Sequence, residues 1–261
     1  MIKELKFLIA VWKANLESNM EFRVSFLSQT IGMIVNDAIY FLVWVIFFDR
    51  FRDVRGWGVT DMYVTFGLTA SAYGLVALLF GNVFSLGDLI TKGRLDYYLS
   101  LPRPVLLHAV ASRSIASGLG DFSYGFLSYL ASGVASWDGL ARFILGVILA
   151  SVVLASFMMI VQSLSFWMGT TSYLAGIANN AMLTFAIYPI TLFEPGPRLL
   201  LFTLIPSALM GAVPASFVRG FGWGTLAELM LGGAVLLGIA VLMFHGGLRR
   251  YESGSAVQVE V

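Results

Sequence analysis

Val24 to Phe48 is an apolar run, broken midway by Asn36 and Asp37, that is long enough to cross a lipid bilayer as a helix; such a crossing needs about 20 largely apolar residues. Comparable runs follow at Met62–Phe84, Ser114–Val134, Phe143–Met168, Tyr173–Phe193 and Leu226–Phe244. Their length, and the lack of strict apolar–polar alternation, exclude the strands of an outer-membrane barrel. The sequence therefore specifies an all-α, polytopic membrane protein with six transmembrane helices. Composition agrees. Hydrophobic residues make up 58% of the 261 and charged residues 12%, against roughly 45–50% and 25% in water-soluble domains. No polar stretch is long enough to fold separately, so residues 1–261 read as a single transmembrane domain.

One segment resists this count. Leu199–Val218 is apolar enough to span but carries Pro206, Gly211 and Pro214. Proline removes a backbone donor and kinks a helix, and irregular backbone survives at membrane depth only where protein or a cavity covers it. Residues 194–222 are therefore expected to form a broken, re-entrant hairpin on the outer side, before the last span. A full seventh helix is the alternative. Basic residues favour six spans: with a cytoplasmic N-terminus, ten Lys and Arg fall inside and six outside, as the positive-inside rule requires. Seven spans would make this nine against seven. Six spans put both termini in the cytoplasm. Trp57, Trp137 and Trp223 lie at span boundaries, where indole rings favour the headgroup region.

At the N-terminus, Lys3 and Lys6 precede only a short apolar run with no small-residue cleavage site, so the segment does not read as a secretory signal. Ile2, Leu5, Leu8, Ile9, Trp12, Leu16 and Met20 share one helical face, and Lys3, Lys6, Lys13 and Glu17 another. Residues 1–22 are expected to form an amphipathic helix at the bilayer surface; a helix packed on protein would show the same pattern.

Several function classes drop out. The chain has no cysteine, which removes thiol ligands, disulfides and cysteine nucleophiles. His108 and His245 lie far apart, no metal-binding histidine pair is present, and no Gly-rich phosphate loop ends in Lys-Ser/Thr. No catalytic, cofactor or metal site is expected, and a net charge of +1 argues against a nucleic-acid partner. Chemistry is left to two places. Inside the spans, Asp37, Asp121 and Glu228 are ionisable, and intramembrane acids are costly and often functional. Asp37 with Tyr40 and Trp44 is a candidate substrate path. Asp121 is expected to be moderated by Arg113 two turns away, while Asn179 and Asn180 suit interhelical hydrogen bonding. Gly67, Gly74 and Gly81 recur every seven residues, a stripe that lets another helix approach, such as one from a second subunit.

The second place is the polar loop after the second span, Ser85–Pro104. Leu86, Leu89 and Ile90 form a short apolar face, and Gly93 can close that turn in a left-handed cap. Leu95, Tyr98 and Leu99 form a second face, closed by Pro102 and Pro104. That pattern is too ordered for a linker and suits a short helix placed between the membrane and a soluble partner.

This loop resembles the cytoplasmic loop of ABC-2 type transporter permeases, in a branch with an Ile-x-x-Gly-x-Leu-Asp-x-Tyr-Leu-x-x-Pro pattern, met here by Ile90, Gly93, Leu95, Asp96, Tyr98, Leu99 and Pro102. Glu21-Phe-Arg23 before the first span and Gly247-Leu-Arg-Arg-Tyr-Glu-Ser253 after the last are similar to the branch's motifs in the same order, with Phe22 in place of tyrosine. The resemblance implies an exporter subunit in the cytoplasmic membrane, paired with a second permease chain, an unlike one favoured over a second copy. ATP hydrolysis would belong to separate cytoplasmic ABC ATPase subunits. It also implies that Gly87, Asp88, Ile90, Lys92, Gly93, Arg94, Leu95, Asp96, Tyr97, Tyr98 and Leu99 form the coupling helix, with Arg94, Asp96 and Tyr98 in direct contact with the ATPase. Residues 1–22 would be the connecting helix and Glu194–Gly222 the short helices at the exit. The rival reading is a secondary transporter driven by an ion gradient through Asp37. It would call for inverted repeats, and none is visible.

Overall fold

The computed structural model describes residues 2–252, and among these it contains thirteen α-helices and no β-strand. They are α1 (Ile2–Met20), α2 (Arg23–Arg50), α3 (Val59–Phe80), α4 (Leu86–Thr91), α5 (Leu95–Leu99), α6 (Val105–Ala111), α7 (Gly118–Ala131), α8 (Trp137–Ser163), α9 (Ser165–Met168), α10 (Ser172–Ala186), α11 (Pro195–Thr203), α12 (Ala212–Arg219) and α13 (Trp223–Leu248). Four stretches are long and apolar enough to cross a membrane: Arg23–Arg50, Val59–Thr91, Trp137–Met168 and Trp223–Leu248. Pro195–Thr203 with Ser207–Arg219, bent by 72°, makes a fifth if it counts as one crossing.

Six full-length spans are therefore not seen. The third and fifth expected spans are helices of 14 and 15 residues, about 21–23 Å long at 1.5 Å per residue. That is short of a ~30 Å hydrocarbon core. Each is shortened for a physical reason. α10 stops ahead of Pro189, whose ring disfavours helical backbone in the residue before it. Before α7, the chain at 114–115 is drawn into capping α3, whose last carbonyls have no partner within their own helix. Ile115 N–H donates to the Ala77 carbonyl at 2.9 Å and the Ser114 hydroxyl to that of Leu78 at 2.5 Å. Trp12 Nε1 of α1 donates to the Leu79 carbonyl at 2.7 Å.

α3 is the central element. Its spanning stretch is 72% buried, against 22% for α2 and 17% for α13. Those outer helices expose Val24, Ile31, Val43, Leu231 and Leu242, among others, surface that only lipid or another apolar chain would cover. The glycine stripe of α3 is spent within the chain. A Cβ on Gly74 would lie 2.5 Å from the Gly118 carbonyl oxygen and from Phe122 N of α7, and one on Gly81 would lie 2.9 Å from the Arg113 carbonyl oxygen. The stripe therefore seats α7 and its lead-in rather than a second subunit.

α1 has three sides. Leu8 is buried and Phe7, Trp12, Asn15 and Asn19 half-buried against the protein; Leu5, Ile9, Leu16 and Met20 are exposed; and Lys3, Lys6, Lys13 and Glu17 are exposed on the polar side. It is thus both a packed helix and one with a free apolar stripe. The proline-broken segment is covered by protein, as its backbone demands: Ser207–Ala215 are all buried. Arg219 ties its end to α3 through Asp61 at 2.8 Å, with the guanidinium 4.5 Å from the Trp57 ring centre.

Candidate functional site

The 85–104 loop is a folded part of the core. Leu86, Leu89, Ile90, Leu95 and Tyr98 belong to the same apolar cluster as Leu154, Met158 and Phe244 of α8 and α13. Gly93, at φ +67°, ends α4 in the left-handed cap its position calls for. Gly93 N–H donates to the Ile90 carbonyl and Arg94 N–H to that of Leu89, the paired bonds of a Schellman motif. Gly87 lies flat against the α8–α10 elbow. Its N–H donates to Gln162 Oε1 at 3.0 Å, and Gln162 Nε2 donates to the Phe84 carbonyl at 2.6 Å.

Polar bonds fix the rest. Asp88 accepts from Lys92 Nζ at 3.0 Å and from the Ser172 hydroxyl at 2.8 Å. Tyr98 OH bonds Ser112 Oγ at 2.8 Å, and Asn82 Nδ2 donates to the same Ser112 Oγ and to the Ala109 carbonyl. α1 closes over the far end. Glu4 pairs with Arg103 at 2.8 Å, the Arg103 guanidinium lies 4.6 Å from the Phe7 ring centre, and Asn15 donates to the Ala111 carbonyl. His108 sits edge-on between Phe7 and Tyr98, and burial there, then the nearby Arg103 charge, push its pKa down. Tyr251 packs on Phe166 beside Asp96; burial first, then that carboxylate, push its phenol up to about 12. The C-terminal motif thus meets the loop, although its last residue, Ser253, lies outside the described residues.

The expected contact residues divide by side. Gly87, Ile90, Leu95 and Tyr98 face inward; Lys92, Arg94, Tyr97 and Leu99 face outward, and Asp96 is half-buried. Tyr98, expected at the partner surface, is 8% exposed and Tyr97 63%, so the tyrosine available outside is Tyr97. Arg94, Tyr97 and Arg113 line a cleft of about 600 Å³. Sequence reasoning passed over Asn82, Ser112, Gln162 and Ser172. Asn82 and Gln162 do leave a signal: lone amides inside apolar runs, which must find partners when buried.

The expected substrate-path residues also divide. Asp37 and Tyr40 line a cavity of about 530 Å³ with Asp121, Asn179 and Asn180. Trp44 lies outside it, packed among Phe47, Phe48 and Tyr188. Arg113 precedes α7 instead of sharing a helix with Asp121, and Glu228 is exposed near the start of α13.

The family model described as ABC-2 family transporter protein matches residues 34–255. The chain belongs to that family. Searches of curated proteins and of solved structures gave no significant match. The match covers most of the chain, from mid-α2 past α13, and includes the loop and all of the cavity lining except Met33. As an ABC-2 family member with long apolar helices, it is a membrane permease of the kind that serves ABC exporters.

Proposed function

We propose that this permease exports a substrate across the cytoplasmic membrane using ATP hydrolysed by a separate ABC ATPase, and that the 85–104 loop is where force passes between them. The observation that carries this reading is the rigid mounting of that loop. Its apolar side is continuous with the core and its polar bonds reach α8, α10 and Ser112 just past α6. A push on the exposed side would therefore move the spans rather than bend a linker. Lys92, Arg94, Tyr97 and Leu99 form the outward surface, with Arg113 at its edge. Two arginines and a tyrosine suit a groove bearing carboxylates, since guanidinium–carboxylate pairing is directional as well as charged.

In the same reading α1 is the connecting helix, resting on the membrane by Leu5, Ile9, Leu16 and Met20, on the loop by Glu4 and on the end of α6 by Asn15. α7 and α10 cross as short helices completed by the turns at their ends, which makes six crossings. The 194–222 segment lies at the outer side, and both termini are cytoplasmic. A second, unlike permease chain completes the transporter, with α2 and α13 as the exposed helices open to it or to lipid. The test is co-purification of the tagged permease from native membranes with an ABC ATPase. Wild type is expected to retain the ATPase and Arg94→Glu/Arg113→Glu to lose it. Absence of any ATPase from the wild type, in detergent and in lipid, would overturn the reading in favour of a gradient-driven transporter.

A further inference from the structure

α2, α3, α7 and α10 line the 530 Å³ cavity, which is open on one side at the exposed Tyr40 and Asn180, a volume within the range of about 300–1,000 Å³ typical of small-molecule sites. Asp37 on α2 and Asp121 on α7 line it, at 7% and 4% exposure. The Oδ2 atom of each has no hydrogen-bond partner, and no Lys, Arg or His is among the lining residues. Thr69 gives a separate sign. It is 4% exposed, lines the same cavity, and its hydroxyl is also unpartnered. Thr30, Thr65, Thr91 and Thr203 by contrast each donate to the carbonyl four residues earlier. Thr69 thus leaves unused a bond within reach of any helical threonine. Asn179 Oδ1 is likewise unpartnered, and the rings of Tyr40 and Tyr73 complete the walls.

We propose that this cavity binds an organic cation, a molecule with an ammonium-like or delocalised positive charge on an apolar body, and that the transported substrate is of this class. Buried carboxylates without counter-charge are costly, and a cation held between the two removes that cost. The aromatic rings add attraction through their faces, and the unpartnered oxygens of Thr69 and Asn179 accept from an N–H. A metal ion fits less well, because among the described residues no three His, Cys, Asp or Glu side chains converge. The assignment of this cation as transported substrate rests on the transport reading; binding in the cavity does not.

The experiment measures binding of tetraphenylphosphonium to the full-length permease in lipid nanodiscs by equilibrium dialysis, with empty nanodiscs subtracted. Tetraphenylborate, equal in shape and opposite in charge, is the control. Saturable binding of the cation and none of the anion is expected. Asp37→Asn and Asp121→Asn should each weaken it about tenfold or more, while Asp37→Glu keeps measurable affinity. Both Asn changes conserve volume, and thermal unfolding of each nanodisc sample reports whether the fold is kept. If wild type shows no saturable cation binding, or a folded Asp37→Asn/Asp121→Asn double variant binds the cation as well as wild type, the site is refuted. ATPase co-purification reads the exporter assignment separately. Retained ATPase without cation binding sinks this site alone; cation binding without an ATPase sinks the exporter reading and leaves the site.

Discussion

Tyr97 and Tyr98 are adjacent in sequence yet face opposite surroundings, and their variants should separate stability from partner binding. Tyr98→Phe removes a hydroxyl bonded to Ser112. It is expected to lower stability by about 0.5–1.5 kcal/mol, read as a lower unfolding temperature, with ATPase binding unchanged. Tyr97→Ala should do the reverse. Gly87 is a tightly packed position in the loop. A Cβ there would stand 2.5 Å from Gln162 Oε1 and 2.6 Å from Ser165 Oγ, so Gly87→Ala should cost about 1–3 kcal/mol through overpacking; an unchanged unfolding temperature would contradict this. The family pattern in the sequence shows which residues form the loop but not the face each takes, because two short helices separated by a left-handed glycine reset the phase of the helical wheel. His108 carries a pH signature. Its folded-state pKa is lowered from 6.5 by burial and by Arg103, so the unfolded chain binds more protons between the two values. Stability is then fully present above 6.5 and falls as pH drops through 6.5 towards the lowered value. Unfolding temperature is expected to decline from pH 7.5 to 5.5 in wild type and to decline less in His108→Phe.

Among the elements, α1 and α3 carry the argument. α1 was legible as an amphipathic helix, but its docking was not. Glu4, Trp12, Asn15 and Asn19 bind a loop residue or backbone carbonyls some 65 to 100 residues away, and no local pattern encodes such distant partners. Charge exchange tests this docking. Arg103→Glu should weaken the α1 contact and Glu4→Arg/Arg103→Glu should recover part of it, with a coupling of about 0.2–1 kcal/mol for a partly exposed pair. An equal loss in single and double variants would show that the pair does not hold α1. The glycine stripe of α3 was visible as a close-approach surface, while its partner was not, since small residues admit any helix. The structure gives that surface to α7 and its lead-in.

For the molecule as a whole, hydropathy was enough for the helical membrane class and for four crossings. It overestimated two others, because α7 and α10 are cut short by a cap on α3 and by Pro189. The cavity was half-legible: Asp37 and Asp121 stood out as intramembrane acids, but their convergence with Thr69 and Asn179 depends on how four helices pack. What the fold joins is a charged, exposed loop surface and a cavity lined by two buried acids, linked through α3 and its continuation into α4. The central claim is that ATPase motion enters by that surface. The most direct measurement places a photocrosslinking benzoylphenylalanine at Tyr97, and in a second sample at exposed Phe221 beyond α12, in membranes containing permease and ATPase. Capture of the ATPase from Tyr97 and not from Phe221 is the predicted result. Capture from Phe221, or from neither position while the two proteins still co-purify, would contradict the account.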